Sequence, residues 1–341
     1  MTEPGIRGRV SLRKPSLMQA VHWVAHGVFK AEGYRWEVRR NGDMKLGYWR
    51  KILKPKDQRS SYPKRFVLIP GFGDTPLSWH LVITFLQPIL KQNFDEILLF
   101  DFPGFGGFLS REKSFPSMDL MIQSVSDALD SLKPHTIMGH SLGGWLAADY
   151  AALCGSGARP ISNKLNYSGP QALLLVNPSG IYPDKNVRQG IVDIFTSCGL
   201  EGISPLRPHL FAKEPSWFRL ILPHFQRFFE REDVLQFMNS IRENHEITEV
   251  AHQIKSKVWL IWGEKDTLIP VSCANAWLQN LNPARKEDHQ AVFICGAGHS
   301  PQIEQPAVTA AVVAQILAER TPHRIGKRWW KVVQSNARFL P

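Results

Sequence analysis

Ser141 stands among glycines, in Gly139-His140-Ser141-Leu142-Gly143-Gly144, with an apolar run before it and a helix-like run after it. That context suits a tight strand-to-helix turn, where bulky neighbours would clash and the hydroxyl stands exposed at the C-terminal edge of a sheet. A serine hydroxyl is a weak nucleophile at neutral pH. It needs a base, and the base needs a carboxylate to orient it. The best acid candidate is Asp266 in WLIWGEKDTLIP, just past an apolar strand, and the best base is His299 in FICGAGHSP, past the last strand. Both fall at strand C-terminal ends, where the sites of open α/β sheets form. The backbone N–H of Leu142, at the start of the next helix, points where negative charge would develop on an attacked carbonyl.

Each residue also has a plainer reading. Ser141 could be a small residue tolerated in a turn, Asp266 a helix cap with Glu264 or Asp288 as the acid instead, and His299 a capping or buried histidine. His140 reads as a packing and hydrogen-bonding residue rather than a base. The glycines of DFPGFGGF lack the G-x-G-x-x-G spacing and the lysine of a phosphate cradle.

The elements around these residues alternate. RFVLIP (65–70), DEILLFDFPG (95–104), HTIMGHS (135–141) and QALLLVNPSG (171–180) are short apolar runs that read as buried strands, and amphipathic stretches lie between them. Ser117 is placed to cap the helix that begins SMDL. YRWEVRR and MKLGYWR flank Asn-Gly and predict a hairpin. The rhythm stops over about 181–250, a helical, aromatic, proline-punctuated stretch. It resumes with KVWLIWGEKD, a helix near 271–280, QAVFICGAGH and the helix of 306–320. A mostly parallel sheet with helices on both faces follows, with a helical block inserted between two strands.

The order and spacing of PGFGDTPLSW (70–79), DFPGFG (101–106), GHSLGG (139–144), GEKDTLIP (263–270) and GAGHSPQIEQP (296–306) resemble the α/β-hydrolase-fold superfamily, over about 35–320. The resemblance implies Ser141 as nucleophile, Asp266 as acid and His299 as base. It also implies an oxyanion hole from the N–H groups of Phe72 and Leu142, and a cap between the sixth and seventh core strands. Pro70 departs from the His-Gly common there; it removes a side chain but leaves the next amide but one in place. Relatives with an aspartate nucleophile, the haloalkane dehalogenases and epoxide hydrolases, do not match a serine at 141. In relatives that carry the acid after the sixth strand, the corresponding end here reads VNPSG, and Asn177 cannot be the anion.

The domain expectation is a basic, amphipathic segment over 1–34, a core of 35–180 and 251–320, a cap over 181–250 and a basic tail over 321–341. Gly71, Trp145, Trp217, Phe218 and Phe225 are expected at an apolar substrate pocket. The expected activity is cleavage of apolar carboxylic esters, in the manner of a carboxylesterase or a monoacylglycerol lipase, without cofactor or metal. The alternatives are a carbon–carbon hydrolase of meta-cleavage products and a ligand-binding protein that kept the fold.

The 341 residues carry a formal net charge of +11, with Lys and Arg enriched at both ends. No helix-turn-helix, RNP or zinc-finger pattern accompanies that charge, which argues against a nucleic-acid partner. Cys154, Cys198, Cys273 and Cys295 are too scattered for a disulfide framework or a zinc site. With no secretory signal and no long apolar run, a cytoplasmic protein is expected. Leu17, Val21, Val24 and Val28 recur at near-helical spacing, beside Trp23 and Phe29. They predict a helix packed on the core or, with the basic ends, one resting on a membrane surface. Oligomeric state has no signature in the sequence.

Overall fold

Apolar runs of five to seven residues become the parallel strands of one sheet. The computed structural model describes residues 17–41, 44–58, 62–104, 115–157, 167–318 and 337–340. The elements are α1 (Leu17–Ala31), β1 (Arg35–Asn41), β2 (Met44–Ile52), β3 (Arg65–Ile69), α2 (His80–Asn93), β4 (Glu96–Asp101), α3 (Met118–Leu132) and β5 (Thr136–His140). Next come α4 (Leu142–Ser156), β6 (Ala172–Val176), α5 (Lys185–Glu201), α6 (Phe218–Phe229) and α7 (Glu232–Ser240). The chain continues through β7 (Lys257–Gly263), α8 (Ser272–Asn280), β8 (His289–Ile294), α9 (Pro301–Glu304), α10 (Pro306–Leu317) and β9 (Ala337–Leu340).

Among the described residues the strands order as β1-β2-β4-β3-β5-β6-β7-β8-β9. The run from β4 to β8 is parallel, while β1, β2 and β9 join antiparallel at the edges. This is the mostly parallel sheet expected from the strand–helix alternation. The hairpin of β1 and β2 forms in the expected place; its tip at 42–43 lies outside the described residues.

Side chains alternate across the sheet with the period of two that strand geometry imposes. Val67, Ile69, Leu98, Phe100 and Ile137 face a core completed by α3, α4 and α8. Phe66, Leu68, Ile97, Leu99 and Met138 face a second core completed by α2 and α10. Each such side chain, taken fully out of water, contributes about 1.5–3 kcal/mol. Ser117 caps α3 as expected, its Oγ accepting the Leu120 N–H at 3.3 Å.

One charge is buried beneath the hairpin. The Glu96 carboxylate, 1 % exposed, accepts from Arg50 Nη2 at 2.7 Å and Arg65 Nε at 2.8 Å. Burial opposes its charge, but the two guanidinium groups prevail and hold the carboxyl below its usual range.

α1 packs through Phe29, whose ring stacks on Trp49 at 5.3 Å, and through Ala25. Its other face leaves Trp23, Val24 and Val28 exposed. The core-packing expectation therefore describes one side of this helix only. The basic stretch at 5–15 and most of the one at 324–339 lie outside the described residues. Within the expected tail, Ala337–Leu340 forms an antiparallel edge strand, with Ala337 opposite Ile294 and Leu340 opposite Ala291. The edge of β8 offers unpaired backbone groups that such a strand satisfies. No helix among the described residues is long and apolar enough to cross a membrane.

Candidate active site

Ser141 sits between β5 and α4 at φ 52°, ψ −118°. The glycines around it are required by close backbone approach. A Cβ on Gly139 would lie 2.4 Å from the Gly143 carbonyl oxygen, and one on Gly143 would lie 2.3 Å from that of Ile69. The turn is fastened on both sides. The Ser141 N–H donates to the Val176 carbonyl at 2.9 Å, and the Ser141 carbonyl accepts the Trp145 N–H at 3.1 Å. Leu142 opens α4, so its N–H has no acceptor within the helix.

Two loops at the ends of β7 and β8 bring Asp266 and His299 together. They cross so closely that a Cβ on Gly263 would meet the Gly298 carbonyl oxygen at 1.9 Å. Lys265 N–H donates to the Ala297 carbonyl at 2.8 Å across the same crossing. His299 Nδ1 lies 2.8 Å from Asp266 Oδ2, and both residues are buried. An ionised carboxylate only accepts, so Nδ1 carries the hydrogen and Nε2 is left as the basic nitrogen. Asp266 Oδ1 accepts the N–H groups of Leu268 at 2.8 Å and Ile269 at 2.9 Å. These bonds hold the carboxylate in one orientation.

The alternative acids are engaged elsewhere. Glu264 accepts the Gly296 N–H at 3.2 Å, and Asp288 pairs with Arg285 before β8, at the opposite end of that strand from His299.

Several residues at the site were not legible beforehand. Asn177, at the end of β6, donates from Nδ2 to Asp266 Oδ2 at 2.5 Å. Glu304, in α9, accepts the N–H groups of Gly298 at 2.7 Å and Ala212 at 2.8 Å, tying the histidine loop to the helical segment. His140 packs as expected, its Nε2 2.8 Å from the His299 carbonyl oxygen and the two rings 4.9 Å apart. Burial, together with the neighbouring His299, pushes the His140 imidazole down to about 3, so it stays neutral. Asp74 lies 3.8 Å from His140 Nδ1. Burial pushes its carboxyl up to about 6, against hydrogen bonds from Ser78 and the Thr75 N–H.

Phe72 follows Pro70 and Gly71 in the loop after β3. Its ring is packed by Phe228 at 5.4 Å, Phe195 at 5.9 Å and Phe237, stacked at 5.7 Å. This aromatic cluster supports the loop where Pro70 supplies no polar side chain.

Phe72, Ser141, Leu142 and Trp145 open on one cavity of about 870 Å³, solvent at its mouth included. The opposite wall comes from α5, through Arg188, Ile191, Val192, Phe195 and Thr196. These positions form one helical face at i, i+3, i+4, i+7 and i+8. Met238, Ile241, Glu246, Leu268 and Ile269 complete much of the rest.

Trp145 is the one expected pocket residue found in this lining. Gly71 stands behind it: a Cβ there would touch His140 Nδ1 at 2.8 Å and the Ser141 Cβ at 3.3 Å. Trp217, Phe218 and Phe225 are a correction. Phe218 is buried against Phe211 and Phe225, and Trp217 is 47 % exposed. Phe218 and Phe225 pack on each other within the helical segment, whereas the cavity takes the Arg188–Thr196 face of α5.

Comparison with known proteins agrees with this architecture. The chain is 25 % identical over 317 residues to human monoacylglycerol lipase ABHD6, covering 84 % of this chain and 86 % of that protein. A bacterial membrane phospholipase A superposes with a TM-score of 0.65 at 18 % identity, over 89 % of this chain and 91 % of the other. A thermophilic esterase from Thermogutta terrifontis superposes with a TM-score of 0.57 at 16 % identity, over 84 % and 98 %. The model of the alpha/beta hydrolase family matches residues 66–312, from the first parallel strand through most of α10, and the chain belongs to that family.

Proposed function

We propose that the chain is a serine hydrolase that cleaves apolar carboxylic esters through an acyl-enzyme. The observation that carries this reading is the buried 2.8 Å contact of His299 Nδ1 with Asp266, together with His299 packed on His140, the neighbour of a serine whose positive-φ turn lines an apolar cavity. His299 Nε2 takes the Ser141 proton as Oγ attacks the carbonyl. Asp266 keeps the imidazole in the right tautomer and stabilises the imidazolium. The N–H groups of Phe72 and Leu142 receive the oxyanion, an arrangement worth about 3–4 kcal/mol per donor in related chemistry. His299 then protonates the leaving alcohol, and water releases the acid by the reverse sequence.

The likeness to a monoacylglycerol lipase supports a lipid-like ester as substrate. Residues 181–250 serve as a cap on the core of 35–180 and 251–320, since α5 and α7 wall the cavity beside Ser141. The exposed Trp23 and Val24 of α1, with the basic composition, support peripheral contact with an anionic membrane surface.

A fluorophosphonate probe tests the nucleophile. Labelling of the wild-type chain, lost in Ser141→Ala, is expected, together with turnover of nitrophenyl esters. Absence of labelling in folded protein, or turnover of a dienoic diketo acid alone, would overturn the reading.

A further inference from the structure

The cavity wall is apolar over most of its extent, yet it contains an ion pair. Arg188, in the first turn of α5, and Glu246, in the loop after α7, both line the cavity and are hydrogen-bonded from Nε to Oε1. Their side chains are only 21 % and 15 % exposed. Asp184 fixes the start of α5, its Oδ1 accepting the N–H groups of Asn186 at 2.8 Å and Val187 at 2.9 Å. The Arg188 N–H bonds back to the Asp184 carbonyl, so the guanidinium is carried on a well-defined turn.

A single bond joins the two side chains. Among the described residues, no protein group accepts from the terminal nitrogens of Arg188 or donates to the second oxygen of Glu246. Their remaining nitrogens and oxygen are not sealed from solvent, so a ligand in the cavity can reach them. The pair is neutral overall, and it offers donors and an acceptor side by side. A hydroxyl matches both, since it can donate to the carboxylate and accept from the guanidinium. A ligand carboxylate would gain from Arg188 but would be repelled by Glu246.

We propose that the Arg188–Glu246 pair is the specificity-determining subsite for the uncharged, hydroxyl-bearing end of the ester. It rests on the ester-hydrolase reading given above. The remaining wall, from Phe195 and Ile191 to Met238 and Leu268, holds the apolar chain. The pair therefore selects polyol esters over plain alkyl esters and over esters with a carboxylate on the alcohol side.

The test compares kcat/KM of the full chain on glyceryl monooctanoate, methyl octanoate and the octanoyl ester of glycolic acid. Arg188→Met is expected to lower the glyceryl-to-methyl ratio about tenfold, the size of one hydrogen bond to a charged group. Glu246→Gln leaves the guanidinium uncompensated and should raise the glycolate-to-glyceryl ratio about tenfold. That gain cannot come from damaged folding. Ratios unchanged in both variants, with all esters still turned over, would overturn this assignment alone. Turnover of no ester by the wild-type chain would overturn it together with the hydrolase reading.

Discussion

Asn177 and Asp266, at the ends of the neighbouring strands β6 and β7, share a hydrogen bond of 2.5 Å. The amide is itself held, because Asn177 Oδ1 accepts the Gly263 N–H at 3.3 Å and the Asn177 N–H donates to the Ile261 carbonyl at 2.9 Å. The carboxylate that faces His299 is thus positioned from the β6 side as well as by its own turn.

A first prediction follows from that pairing. On the proposed mechanism, Asp266→Asn should keep the fold and lower kcat about 10³–10⁴-fold, as loss of the orienting carboxylate does in serine-hydrolase triads. Adding Asn177→Asp to that variant returns a carboxylate one hydrogen bond away from the lost one. The double variant should regain about tenfold in kcat over Asp266→Asn; equal rates for the two would show that only position 266 can orient His299.

Gly143 allows the serine turn to touch β3, and its replacement tests the close approach. Gly143→Ala places a Cβ against the Ile69 and Pro70 carbonyl oxygens at 2.3 and 2.4 Å. Backbone atoms on both sides cannot yield, so the variant should lose about 3 kcal/mol or more of unfolding free energy. Urea denaturation measures it, and a loss below about 1 kcal/mol would refute the packing argument.

His140 makes stability depend on pH. An unfolded histidine takes up its proton near 6.5, whereas buried His140 resists down to about 3. Between those values the unfolded state binds a proton that the folded state does not, so acidification favours unfolding. Asp74 acts in the opposite sense between 3.8 and about 6, where the folded state is the better proton acceptor. From about pH 6.5 to 4.5, the wild type should therefore lose about 2–3 kcal/mol relative to His140→Gln, at roughly 1.4 kcal/mol per pH unit. Parallel denaturation curves at the two pH values would contradict the buried, neutral histidine.

Glu96 gives a second acid-side effect at the far end of the sheet from Ser141. Its folded carboxyl titrates below the ordinary value of 4.5. The stability it contributes is present above that value and is lost as pH falls through the lowered one. Glu96→Gln takes the buried anion from Arg50 and Arg65, which keep Glu37 and the Leu132 carbonyl, and should cost about 1–2 kcal/mol at neutral pH. The gap to wild type should narrow as pH falls below 4.5 and through the lowered titration; a gap that is independent of pH would mean that shape rather than charge holds the site.

Much of this was legible because local signals agreed with tertiary ones. The alternation of apolar strands and amphipathic helices has a distinct period in each element, and Ser117 marked the start of α3. Ser141, Asp266 and His299 each sit at a strand end, which their flanking apolar runs reveal. The cavity wall was not legible. The aromatic cluster of Trp217, Phe218 and Phe225 is conspicuous in the chain, while the wall is built from Ile191, Val192 and Phe195 of the preceding helix. Their i, i+3, i+4, i+7 pattern with Arg188 is present in the chain, but a helical stripe does not say what it faces. In the sequence, Asn177 shows only that it cannot be the acid. Its bond to Asp266 is a contact across 89 positions, which no local pattern encodes.

The backbone at Ser141 carries a further implication. A φ of 52° with ψ −118° is a conformation that L-residues avoid and achiral glycine tolerates. Holding a side chain there costs about 1–3 kcal/mol, offset by the surrounding structure. Ser141→Gly should then be inactive yet more thermostable than Ser141→Ala by about 1 kcal/mol, because glycine relaxes the turn. The place where the protein would do its chemistry is thus one of the few where a side chain is held in a left-handed backbone, so a serine kept there would serve reactivity against the interest of stability.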